Sequence, residues 1–225
     1  MSVLEDRLQV LKNTDIGLML IEWGELHFRS FPWRYTFDPF KVAISEMLLR
    51  RTRALQVVSP YMEIICKYKD MCEIASADRK CLTSSISSLG IYKRIDLILN
   101  AAEYICNNSK GVIPSARNQL AMVPGFGEYT VSAIRVFAYS ERDPLIDANT
   151  VRILSRLLGI KNSDSLRRTN LIRIAYETVL QNTNPVKFGY SILDLGAIVC
   201  SRTPKCKQCP ISKYCSFNLN NKISR

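Results

Sequence analysis

One histidine, His27, serves the whole chain of 225 residues. A single imidazole excludes every site that needs two, the His-Glu-x-x-His metalloproteases among them. The missing His-x-Glu run excludes the zinc deaminases as well. No stretch approaches the ~20 apolar residues of a membrane span, and mean hydropathy is −0.01. The N-terminus, MSVLEDRLQVLKN, is charged throughout and lacks the basic end followed by an apolar core that marks export. A soluble, intracellular, cytoplasmic protein in a reducing compartment is therefore expected. Basic tails, low-complexity tracts and repeats at solenoid periods are all missing. So is any convincing alternating strand.

What the chain does have is positive charge. Thirty-one Lys and Arg face twenty Asp and Glu, a formal charge of +11 and a pI near 9.4. Such an excess marks a polyanion partner, most often nucleic acid, because neutralising phosphates releases condensed counterions. A generally basic surface is the plainer reading. With no basic tail, any binding surface must be built from folded elements. The length fits one large domain or two small ones, and 47% hydrophobic residues suffice for a sizeable core.

Helical periodicity dominates. From Pro39 to Val58 the apolar residues Phe40, Ala43, Ile44, Met47, Leu48, Ala54, Leu55 and Val58 recur at spacings of three and four, which predicts one amphipathic helix. Ser59–Tyr68, Ile95–Asn107, Thr130–Tyr139, Ala148–Leu158, Arg168–Leu180 and Phe188–Val199 read as further helices, parted by short Gly, Pro, Asn or Ser breaks. The fold class is all-α, with roughly ten helices.

Between two of these helices lies Ala121-Met122-Val123-Pro124-Gly125-Phe126-Gly127, a tight helix-hairpin-helix. Glycine permits positive φ and leaves room for another backbone, so the hairpin amides and the next helix N-terminus can face a phosphate. Such contacts position DNA without reading its sequence. An ordinary interhelical turn is the alternative. A dinucleotide fingerprint is excluded, because Thr130 stands where the third glycine is needed and no strand precedes the turn.

The run Leu120 to Leu154, LAMVPGFGEYTVSAIRVFAYSERDPLIDANTVRIL, resembles the hairpin and catalytic-aspartate signature of the helix-hairpin-helix DNA glycosylases of the endonuclease III and MutY superfamily. Phe31-Pro32-Trp33-Arg34, Asp38-Pro39 and Ser45 to Thr52 match upstream, and a four-cysteine cluster follows downstream. The resemblance covers the chain from about Phe31 to Cys215. It implies a two-lobed fold with a C-terminal iron-sulfur cluster loop. Residues 26–139 would form a six-helix domain containing the hairpin; residues 1–25 plus 140–225 would form a second helical domain carrying the cysteine loop. It also implies a monomer that acts on mismatched double-stranded DNA and associates with the nucleoid. Val123, Gly125 and Gly127 of the hairpin are expected to bind DNA.

Cys200, Cys206, Cys209 and Cys215 stand at Cys-x5-Cys-x2-Cys-x5-Cys, interleaved with Arg202, Lys205, Lys207 and Lys213. Four thiolates so spaced imply a metal centre. Zinc satisfies the ligand set, but the resemblance points to a [4Fe-4S] cluster with a structural role, turning the loop's cations toward phosphates. The family usually has six residues in the first interval where this chain has five. Cys66, Cys72, Cys81 and Cys106 show no ligand pattern and are expected to be thiols.

Three residues match the family's chemistry. Asp147 opens a helix, where an N-cap role and a catalytic one are compatible: amides at a helix start favour a carboxylate, and an anion is what positive charge developing at the sugar C1′ requires. Glu46 has Val42, Ala43 and Leu49 as helical neighbours. If these desolvate it, it can deliver a proton to a departing base; otherwise it is a surface glutamate. Tyr129 stands where the bifunctional members carry a nucleophilic lysine. It is either packed beside Ala133, Ile134 and Phe137 or a pocket wall, and a phenol forms no Schiff base, which implies hydrolysis by water.

Adenine glycosylases of the MutY type typically carry Gln-Gln-Thr and Asp-Gly-Asn, where this chain has Arg50-Arg51-Thr52 and Asp147-Ala148-Asn149. Both departures resemble the Mig-type mismatch enzymes, which remove thymine or uracil opposite guanine. The sequence also ends ten residues after Cys215, so the domain by which MutY-type enzymes recognise 8-oxoguanine is expected to be missing. Adenine opposite guanine or 8-oxoguanine is the alternative substrate, and a non-catalytic DNA-binding module the alternative of a different class. Arg50, Arg51 and Arg53, with Leu89-Gly90-Ile91-Tyr92, are candidates to fill the gap left by an extruded base; the alternatives are plain phosphate contacts for the arginines and a core position for Tyr92.

Overall fold

A computed structural model of the chain describes residues 3–90 and 93–223. Ile91 and Tyr92 of the wedge candidate lie outside the described residues. In chain order the α-helices are α1 (Val3–Lys12), α2 (Ile16–Leu26), α3 (Pro39–Leu49), α4 (Ala54–Lys67), α5 (Met71–Ala75), α6 (Arg79–Ile86), α7 (Lys93–Ser109), α8 (Arg117–Ala121), α9 (Glu128–Tyr139), α10 (Ala148–Leu158), α11 (Asn170–Leu180), α12 (Pro185–Ile198) and α13 (Ser216–Ile223). No strand occurs among the described residues. None of their helices is long and apolar enough to cross a membrane. The chain folds into two compact units, Ser30–Asp143 and Met1–Arg29 with Pro144–Arg225.

In the unit Ser30–Asp143, α3 starts where Asp38 accepts a hydrogen bond from the Phe40 amide at 2.9 Å. Pro39 supplies a preset first-turn φ. Residues 42–48 of α3 are all buried, and the helix packs against α9. Trp33 stacks on Phe31 and meets Tyr61 edge-on at a centroid distance of 5.4 Å. Burial, with Asp38 adding to it, pushes the Tyr61 hydroxyl up to about 12. Asp143, buried, accepts from Arg117 and Ser132 at 2.7 Å and from Arg135 at 2.8 Å.

Two expectations are corrected in this unit. The single helix over Pro39–Val58 is two helices, broken at Arg50–Arg53. Arg51 enters the left-handed region at φ +55°, and the second helix then runs through Ser59, the expected start of the next one. The periodicity survived the break because residues 50–53 hold no glycine or proline to mark it; a tertiary contact described below holds the loop. Cys72 and Cys106 are not thiols but a disulfide spanning a sequence separation of 34. α5 packs against α7, which brings these cysteines together without any local spacing signal. Cys66 and Cys81 are free and exposed.

In the other unit α2 packs along α12 so closely that a Cβ at Gly24 would lie 2.0 Å from the Ser191 hydroxyl oxygen. Asp194 of α12 is fully buried and receives the Arg29 Nε at 2.5 Å. Leu11, Ile16, Leu20, Leu154, Phe188 and Leu195 form the centre of its core. Asn184 caps α12 by accepting from the Val186 and Lys187 amides at 3.0 Å.

Candidate active site

Glu46 sits on the inner side of α3 and is only 7% exposed. A surface position is therefore not where the fold puts it. Tyr129, half-buried, is in the first turn of α9, the helix that packs on α3. The hairpin leads into that helix. Its side chains Val123 and Phe126 are buried and anchor it. Val123 also donates its amide to Leu120 at 3.2 Å, so it supports the hairpin from within and presents neither side chain nor N–H outward.

The two hairpin glycines answer different needs. Gly125 has φ +83°, a conformation L side chains rarely adopt, and a Cβ there would meet Leu97 at 3.3 Å. Gly127 has an ordinary backbone and open space where a Cβ would stand. Nothing within the unit requires glycine at 127. Gly127 is also the N-cap of α9 and has no side chain to satisfy its first amides. Arg50, Arg51 and Arg53 are exposed in the loop after α3, and Arg50 Nη1 donates to the Gly125 carbonyl at 2.8 Å.

Asp147 belongs to the other unit and caps α10. Its Oδ1 accepts from the Thr150 amide at 2.7 Å and its Oδ2 from the Asn149 side-chain amide at 2.9 Å. Both oxygens thus face N–H donors at a helix N-terminus, an environment complementary to negative charge. The contacts continue inward. Arg152 donates to Asn149 Oδ1 at 2.7 Å, to the Gly196 carbonyl at 2.9 Å and to the Cys200 carbonyl at 2.8 Å. Gly196 makes this fit possible, since a Cβ there would lie 2.6 Å from Asn149. Arg156, one turn on, donates to Cys200 Sγ at 3.2 Å and to the Ser201 carbonyl at 2.7 Å, with Phe217 4.9 Å from its guanidinium. A hydrogen-bonded path therefore joins the Asp147 carboxylate to the cysteine loop. Arg152, which the sequence reading did not single out, stands in the same DANTVR run five residues after Asp147, and Asn149, two residues after it, entered that reading only through its resemblance.

Cys200, Cys206, Cys209 and Cys215 line one small cavity with Val199, Pro204 and Phe217. The loop between them holds only single 3₁₀ turns. No group of three or more His, Cys, Asp or Glu side chains among the described residues forms a ready metal-ion site. The donor chemistry nevertheless fits a thiolate-bound centre: four sulfurs on one apolar cavity, with neither carboxylate nor imidazole among its lining. Burial first, and the neighbouring sulfurs after it, push the Cys209 thiol up to about 12 and raise Cys215 too.

No family model matches the chain. A thymine-DNA glycosylase of Aeropyrum pernix is 33% identical over 208 residues, 90% of this chain and 93% of that protein. A thymine/uracil-DNA glycosylase of Methanothermobacter thermautotrophicus is 31% identical over 191 residues, 84% of this chain and 86% of that protein. Among solved structures, a thermostable thymine-DNA glycosylase superimposes with a TM-score of 0.85 at 28% identity, covering 97% of this chain and all of that one. With its helical units, its hairpin and these likenesses over nearly its full length, the chain belongs to the helix-hairpin-helix DNA glycosylases of the endonuclease III and MutY superfamily, on the thymine-DNA glycosylase branch, and is an enzyme acting on N-glycosyl bonds.

Proposed function

We propose that this enzyme releases thymine or uracil mispaired with guanine from double-stranded DNA, using water as the nucleophile and leaving the abasic strand intact. The observation that carries the chemistry is the carboxylate of Asp147, held by two N–H donors at the start of α10. Fixed donors keep this group aimed while positive charge grows at C1′, so its attraction is strongest in the transition state. Glu46, buried on α3, supplies the proton that the departing base requires. Tyr129 supplies a wall and a hydroxyl, and it leaves the enzyme without the amine that strand cleavage by a Schiff base needs.

The hairpin with its open Gly127 and the three exposed arginines contact phosphates, and the enzyme works as a monomer. Cys200, Cys206, Cys209 and Cys215 would hold a [4Fe-4S] cluster, which fixes the loop so that Lys205, Lys207 and Lys213 face the DNA backbone. Extrusion of the base costs a few kcal/mol and costs least at a mismatch, which is one source of selectivity.

Single-turnover assays on G·T, G·U and A·8-oxoguanine duplexes test this reading. Release of thymine and uracil, with no release of adenine, is the expected result. Adenine release alone would assign the MutY-type substrate, and no release from any duplex would leave a DNA-binding module.

A further inference from the structure

The loop that breaks the expected long helix is held by a residue with no assigned part in the reaction. Arg94, from α7, is only 3% exposed. Its Nη2 donates to the Arg50 carbonyl at 2.7 Å and to the Thr52 hydroxyl at 2.8 Å. Those two acceptors flank Arg51, the residue at φ +55°. A non-glycine residue in the left-handed region persists only where its surroundings over-determine it, and such positions cluster at functional sites.

Arg94 is also costly where it stands. Its Nη1 is buried and has no hydrogen-bond partner, and burial, then the positive charge of Arg50, push its pKa down. A buried guanidinium with an unmet donor is poor at stabilising a fold. Capping the last carbonyls of α3 would call for far less. What the guanidinium does supply is a rigid fork that grips both sides of one strained residue. From the other side, Arg50 ties the same loop to the hairpin carbonyl of Gly125. The exposed cations of Arg51 and Arg53 thereby hang from a loop fixed at two points.

We propose that Arg94 is a positioning residue, which keeps the Arg50–Arg53 loop in its strained form before DNA arrives so that the loop enters the duplex ready-shaped as the base is extruded. This rests on the glycosylase reading above. Without the fork, Arg51 relaxes to an ordinary backbone conformation and the loop must be reordered during each extrusion, a misplacement that slows the step without touching the bond-breaking groups.

The test uses the metal-loaded enzyme and a G·U duplex with 2-aminopurine beside the uracil, whose fluorescence rises as the base unstacks. Arg94→Met should slow both the fluorescence rise and uracil release by at least about tenfold. Its affinity for undamaged duplex should fall far less than release does, because the hairpin's phosphate contacts and the loop's charges are retained. Arg94→Lys, which keeps a charged donor but not the planar fork, should recover only part of the loss, and Thr52→Val should show a smaller loss of the same kind. A normal fluorescence rise in Arg94→Met would overturn the inference. So would a loss of undamaged-duplex affinity and thermal stability in proportion to the loss of release, which marks a general folding role. If Arg94→Met does not fold, Thr52→Val decides, and wild-type extrusion in that variant overturns the inference. A wild type silent on every lesion duplex removes the glycosylase reading and this inference with it, whereas an active wild type with indifferent variants removes the inference alone.

Discussion

The hairpin and the cysteine loop are both irregular segments, yet they take their shapes from different sources. The hairpin is shaped by the chain itself. Val123 and Phe126 enter the core, Gly125 takes the left-handed conformation, and Arg50 closes the turn from outside. The loop from Cys200 to Cys215 has little of this. Ile211 is buried within it, its regular structure is limited to two three-residue turns, and Arg152 and Arg156 grip it from α10. A segment that buries so little apolar surface needs another source of order, and its four sulfurs point to a bound centre. The first loop takes its shape from the folded chain; on the function proposed above, the second takes its shape from the centre that its sulfurs would hold.

The largest effect should follow from the residue at the end of the polar path. Asp147→Asn keeps a good N-cap, since asparagine caps helices as well as aspartate does, but it removes the charge. Base release should fall by about a thousandfold or more, with mismatched-duplex affinity held within about tenfold. Single-turnover rates beside binding titrations check this, and full activity would remove Asp147 from the mechanism. Next comes the centre itself. Protein purified without oxygen should be brown and carry about four irons per chain. Stripping them should open Cys200–Cys215 to protease while the hairpin stays resistant, and stoichiometric zinc without iron would refute the cluster.

Arg152→Met should lower release by about ten- to a hundredfold, the usual effect of losing a group that supports a metal ligand, with a matching loss of bound iron. Unchanged iron and rate would show that the path from Cys200 to Asp147 carries nothing. The smallest catalytic effect should come from Cys72→Ser. A loop closed over a separation of 34 residues contributes about 3–4 kcal/mol of stability, so thermal unfolding should shift downward while release at moderate temperature is unchanged. An identical melting curve with and without reductant would argue against the disulfide.

The legibility of the sequence followed the range of the forces involved. Ala148–Leu158 was readable to the residue, because its apolar period, its aspartate cap and the glycine at 159, φ +75°, are all local. The hairpin was readable for the same reason. The break at Arg50–Arg53 was not, because the loop's contacts to Arg94 come from more than forty residues away and no local residue announces it. The pairing of Cys72 with Cys106 needed α5 to lie against α7. Glu46 was visible as a matching residue but not as a buried one: α3 has neighbours on nearly all sides, so its periodicity understated how much of it is enclosed. Val123 was readable as part of the hairpin, and only its buried side chain reveals it as an anchor.

The proposed use of water rather than an amine rests on Tyr129, which has no amine to offer the sugar. Sodium borohydride added during turnover on a G·U duplex measures it directly, because only an imine can be reduced to a permanent protein–DNA link. The wild type should give no covalent complex and an abasic strand that breaks only after alkali or heat. A trapped complex at the level of a lysine-bearing bifunctional glycosylase assayed beside it would contradict hydrolysis.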